Sequence, residues 1–118
     1  MRTEYFQSGR DITISYPVEI NGIRTRVVEA GEGDEVLVCI HGVGSRADRF
    51  IPAMPDLTSQ GYRVIAIDLP GHGFASKPPD FNYRPKEFAA FIGGVLDLLD
   101  LEASQSSEPL WADKSLRL

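Results

Sequence analysis

Residues 36–40 (Val-Leu-Val-Cys-Ile) and 64–67 (Val-Ile-Ala-Ile) are apolar without interruption, and each run closes on a cluster of glycine, histidine and small polar residues. A strand with one wet face alternates between apolar and polar residues. An uninterrupted run is buried on both faces, as in a parallel pair covered by helices. This pattern places the chain in the α/β class. Between the runs, residues 50–60 hold Met54 and Leu57 at helical spacing and close on Gly61, while Pro52 and Pro55 require the helix to start late or be broken. The order strand, crossover, strand reads as a βαβ unit with a right-handed connection.

Upstream, Ile12, Ile14, Tyr16, Val18 and Ile20 alternate with other residues, then Asn21-Gly22 leads into a second extended run, Ile23 to Ala30. Asn and Gly tolerate the positive φ angles of a type I′ turn, so this dipeptide between two such runs predicts an antiparallel hairpin. Downstream, Pro85 suits a first helical position, and Phe88, Phe91/Ile92, Val95/Leu96 and Leu98/Leu99 recur at helical spacing. Gly93-Gly94 weakens that helix but permits close packing on the sheet. With 118 residues, the chain has room for one domain. Its 12 Lys+Arg against 17 Asp+Glu, with no basic cluster, exclude a nucleic-acid surface. No stretch approaches the roughly 18 apolar residues of a membrane span, and no secretory leader is evident. The single Cys39 reads as a small buried hydrophobe, so a cytoplasmic location is expected.

Two clusters lie just beyond the carboxyl ends of the apolar strands, where open α/β sheets place their ligands. They are His41-Gly42-Val43-Gly44-Ser45 and Asp68-Leu69-Pro70-Gly71-His72-Gly73-Phe74-Ala75-Ser76. Together with the preceding hairpin, and the amphipathic helix ending in Leu-Asp-Leu-Leu-Asp-Leu, they resemble the N-terminal part of the α/β-hydrolase superfamily over roughly residues 10–101. The resemblance implies a partial hydrolase-type sheet of about four strands. It also implies that His41-Gly42-Val43 forms an oxyanion loop, with the Val43 backbone N–H as donor, Gly42 allowing close approach and His41 orienting the loop. Asp68, Gly71, His72, Gly73 and Ser76 are expected to fix the second loop. No cofactor is implied, and no His or Cys pair has metal-ligand spacing.

Hydrolases of this superfamily carry their nucleophile on a Gly-x-Ser-x-Gly elbow, followed by an acid and a histidine. No such elbow occurs in this sequence. Ser115 is nearest by position, but Asp113 and Arg117 stand where small residues are needed, and both histidines precede it. The sequence thus reads as a truncated hydrolase, inactive alone, whose intact relatives act on a small-molecule substrate with an ester or acyl-type bond. Relatives that cleave haloalkanes or epoxides use an aspartate at the nucleophile position. A competing dinucleotide-binding reading comes from Gly42-Val43-Gly44-Ser45-Arg46-Ala47, which satisfies Gly-x-Gly-x-x-Gly/Ala, with Asp68 ending the next strand. Pro52 and the preceding hairpin count against it.

Residues 1–101 are expected to form the N-terminal part of the hydrolase domain and residues 102–118 a divergent, irregular tail. The superfamily's sheet order places the next strand against 36–40, yet residues 102–109 are polar. Strand 36–40 is therefore expected to be an exposed apolar edge, prone to self-association.

Overall fold

The computed structural model describes the backbone of residues 4–8, 11–99, 101 and 114–117, and the side chains of residues 13–99 and 101. Six strands form one mixed sheet: β1 (Glu4–Ser8), β2 (Asp11–Ile20), β3 (Ile23–Ala30), β4 (Glu35–Ile40), β5 (Tyr62–Ile67) and β6 (Lys114–Arg117). Their order is β1-β2-β3-β5-β4-β6. The β4/β5 pair is parallel and in register from Glu35↔Tyr62 to Ile40↔Ile67, as the two apolar runs require. Every other pairing is antiparallel. The β2/β3 hairpin closes at Ile20↔Ile23, with φ +49° at Asn21 and +80° at Gly22, the pair of positive angles that a type I′ turn demands.

Alternation along β4 and β5 sorts their side chains onto two cores. Val36, Val38 and Ile40, with Ile65 and Ile67, meet Phe88, Phe91, Ile92, Val95 and Leu96 of α2 (Pro85–Leu98). On the other face Cys39, Val64 and Ala66 pack with Val28, Ala47 and Met54. Cys39 is buried, as a small hydrophobe should be. The crossover is split by its prolines: Ala47–Ala53 is a 3₁₀ helix containing Pro52, and α1 begins only at Met54, running to Ser59 with Pro55 in its first turn. In α2, Gly94 lies against the β2 end, where an added Cβ would stand 2.8 Å from Ile20 Cγ2, while Gly93 faces open space. Only Gly94 is needed for close packing.

Two expectations about the sheet edges are corrected. Strand β4 is not an edge, because β6 pairs with it from Leu37↔Arg117 to Ile40↔Lys114. The tail is therefore not wholly irregular; residues 102–113 lie outside the described residues. The added strand β1 extends the sheet beyond β2, giving six strands rather than about four. No helix among the described residues is long and apolar enough to cross a membrane.

A polar link joins three strands. The Tyr16 hydroxyl donates to Glu29 Oε1 at 2.6 Å, and Arg63 Nε donates to Glu29 Oε2 at 2.9 Å. Burial, reinforced by the Glu29 carboxylate, pushes the Tyr16 phenol well above its ordinary range. The hydrogen bond to Glu29 likewise raises Arg63. Because the folded phenol holds its proton more tightly than the unfolded one, this contribution is complete below the ordinary phenol pKa of about 10 and is lost as pH rises past it. Melting temperature is therefore expected to fall as pH rises beyond about 10, and to fall less steeply in Tyr16→Phe. Equal slopes in scanning calorimetry for the two proteins would remove Tyr16 from the account.

Candidate functional site

Strands β4 and β5 end side by side, so the loops that follow them meet above the sheet. The first loop is a β-turn closed by Ser45 N–H donating to Gly42 O at 3.1 Å. Gly44, third in the turn, has φ +84°, the left-handed value that a type II turn needs there. Val43 therefore stands at the tip, 71% exposed, and among the described residues its N–H has no partner. Beneath it His41 is fully buried. Leu69 N–H donates to His41 Nε2 at 3.0 Å, so the ring proton sits on Nδ1 and is donated to the Gly42 carbonyl at 2.8 Å. Both ring nitrogens are thus committed to backbone groups.

Asp68 ties the two loops together from a fully buried position. Its Oδ1 accepts from Ala47 N–H at 2.8 Å, and its Oδ2 accepts from Phe74 N–H at 3.1 Å. The charge is met by Arg26 of β3, whose Nε donates to Oδ2 at 2.9 Å. Arg26 extends the network: Nη1 pairs with Asp48 at 2.9 Å, and the guanidinium lies over the Phe74 ring at 4.4 Å from its centroid. Gly73 is required here because a Cβ would collide with the Asp68 carboxylate. The Thr25 hydroxyl adds a bond to the Asp68 carbonyl at 2.6 Å.

The rest of the second loop is pinned by its own backbone. Ser76 N–H donates to Arg24 O at 2.7 Å, Arg24 N–H donates to Ser76 Oγ at 3.2 Å, and Gly71 N–H donates to Ser76 O at 2.8 Å. His72 Nδ1 lies 3.0 Å from the Pro70 carbonyl, and its ring centroid is 5.0 Å from that of His41. Between the loops is an open cleft of about 860 Å³, with Val43, Gly44 and Ser45 on one wall and Gly71, His72 and Gly73 on the other. All eight loop residues singled out from the sequence therefore belong to one assembly: His41 and Asp68 lie beneath it, Ser76 anchors it to β3, and the others form or adjoin the cleft.

A family model described as "alpha/beta hydrolase fold" matches residues 35–103, which span β4, α1, β5, α2 and both loops. The chain belongs to the α/β-hydrolase fold family. It is 36% identical over 90 residues to an epoxide hydrolase of Caballeronia sordidicola, covering 75% of this chain and 27% of that protein. It is 36% identical over 84 residues to the 2-hydroxy-6-oxo-2,4-heptadienoate hydrolase of Pseudomonas putida, covering 69% of this chain and 30% of that protein. The crystal structure of epoxide hydrolase A from Mycobacterium thermoresistibile superposes with a TM-score of 0.66 at 36% identity, covering 75% of this chain and 28% of that one. This α/β-hydrolase chain thus spans between a quarter and a third of the length of these relatives.

The same geometry also counts against the competing dinucleotide-binding reading. A pyrophosphate needs a free helix N-terminus. Here the glycine loop leads into a short 3₁₀ helix whose first N–H, on Ala47, is already held by Asp68. Asp68 itself, the residue that would reach a ribose, is fully buried. Ser115 lies within β6 opposite Cys39, in a paired strand rather than at a strand-to-helix turn. Among the described residues no group of three His, Cys, Asp or Glu side chains is placed to hold a metal ion.

Arg26 is the participant that sequence reasoning missed. An arginine in an alternating strand reads as a solvent-facing residue, yet its side chain is 8% exposed. Removing one partner of a buried ion pair leaves the other charge stranded, at about 3–5 kcal/mol. Arg26→Leu is accordingly expected to lower stability by about that amount, and Asp68→Asn is expected to destabilise as well. In urea unfolding the double variant is expected to be less destabilised than the sum by more than about 1 kcal/mol; additivity within about 0.5 kcal/mol would show that the pair is not coupled.

Proposed function

We propose that these residues form the oxyanion-binding side of a hydrolase active site, with the Val43 N–H as donor. The observation that carries this reading is an exposed, unpartnered N–H on a turn whose base is rigidly held. Oxyanion stabilisation needs donors fixed in place before charge develops, so that little reorganisation accompanies the reaction. Gly42 allows close approach to the donor, and His41 orients the turn through its two backbone bonds. Asp68, Gly71, His72, Gly73 and Ser76 hold the opposing wall. The substrate is a small molecule with an ester or acyl-type bond, or an epoxide, as the names of the relatives suggest.

A serine nucleophile would pass through a tetrahedral oxyanion on acylation. A carboxylate nucleophile that opens an epoxide would form an ester whose hydrolysis passes through the same kind of oxyanion. One donor site serves both routes. A cytoplasmic setting belongs to the proposal, supported by the buried thiol of Cys39 and a fold that no internal disulfide can hold.

The reading has two expected outcomes. Since Ser115 lies in a paired strand and no histidine follows it, this chain alone is expected to hydrolyse p-nitrophenyl acetate no faster than Ser115→Ala; a clear excess would show a nucleophile of its own. The donor is tested by placing residues 35–76 in the matching segment of the Caballeronia sordidicola epoxide hydrolase and adding Val43→Pro. Proline suits the second position of a type II turn but has no N–H. The loss in kcat is expected to be about 100- to 1,000-fold with an unchanged melting temperature. A kcat within about twofold of the parent chimera would reject Val43 as the donor.

A further inference from the structure

The outer edge of β4 is covered by the shortest strand of the sheet. β5 pairs with β4 over all six residues, Glu35 to Ile40, whereas β6 reaches only Leu37 to Ile40. Residues 36–40 carry no charge, but two of the four residues of β6 are Lys114 and Arg117. Short, charged edge strands are a means by which sheets avoid pairing with other chains. We propose that β6 is a displaceable guard, and that when it leaves, the β4 edge pairs with β4 of a second copy of this chain.

The direction of pairing identifies the occupant. β6 lies antiparallel to β4, so this edge accepts an antiparallel strand. Two copies of one strand can meet antiparallel about a two-fold axis, the symmetry of a closed dimer. Centred on Val38, such a pair sets Val36 opposite Ile40 of the second copy and Leu37 opposite its Cys39. Opposed residues share a face, so the first match extends the α2 core and the second extends the α1 core. All five matches are apolar, and no like charges meet. The same edge is then closed either by β6 within the chain or by β4 of its copy.

Sedimentation equilibrium of the full chain and of a chain ending at Asp113 tests this. The full chain is expected to be a monomer and the shortened chain a concentration-dependent dimer. A monomeric shortened chain that still melts cooperatively, or equal dimerisation of both, would overturn the proposal. If the shortened chain fails to melt cooperatively, Ser115→Cys in the full chain decides. Cys39 and position 115 are direct partners, so oxidation is expected to lock β6 in place with an intrachain disulfide. During warm incubation at high concentration the reduced chain is expected to accumulate dimer while the oxidised chain stays monomeric. Absence of the intrachain disulfide, or equal dimer in both redox states, would overturn the proposal.

Discussion

The buried pair between Arg26 and Asp68 is the interaction on which both loops depend. β3 runs antiparallel to β5, and the register Val27↔Ile67 brings the middle of β3 beside the end of β5, so Arg26 stands next to Asp68. Residues 26, 28 and 30 share one face of the sheet with residues 64, 66 and 68, the face that also carries Ala47 and Met54. One carboxylate on that face can therefore hold the N–H that opens the 3₁₀ helix and the N–H of Phe74 at once. Desolvating a carboxylate is costly, and a single counter-ion seldom compensates. Here two backbone donors and a guanidinium satisfy it together, which also explains why Gly73 leaves no room for a side chain against it.

Much of this was legible in the residues because it depends on local pattern. The two apolar runs, the Asn21-Gly22 turn and the spacing of Phe88, Phe91, Ile92, Val95 and Leu96 each report burial through a short-range period. The broken crossover followed from Pro52 and Pro55 for the same reason. The clusters after β4 and β5 were legible as a site because strand ends are where an α/β sheet exposes backbone. Arg26 was not, because its partner lies 42 residues away and its environment is set by strand register rather than by its neighbours in the chain. Strands β1 and β6 escaped for a different reason. Lys-Ser-Leu-Arg has too little apolar periodicity to announce a strand; what identifies it is the backbone edge of β4, which lies far away in sequence.

Two arginines and two aspartates form one ion-pair network beneath and beside the cleft, whose wall also carries Arg49. Arg26 and Arg46 face Asp48 and Asp68: Arg26 bridges the two carboxylates, and Arg46 Nε lies 3.4 Å from Asp48 Oδ2. The four groups of this network sum to zero, so the network itself adds no net charge at the cleft. What they provide is rigidity. An oxyanion bound at this turn would be stabilised by the dipole of the Val43 amide, whose strength depends on fixed direction more than on formal charge. The bonds of His41 Nδ1 and Ser45 N–H to the single Gly42 carbonyl fix the peptide plane that carries the Val43 N–H. The ion pair below and the amide above are thus joined mechanically rather than electrostatically: the charges hold the loops, and the loops aim the donor.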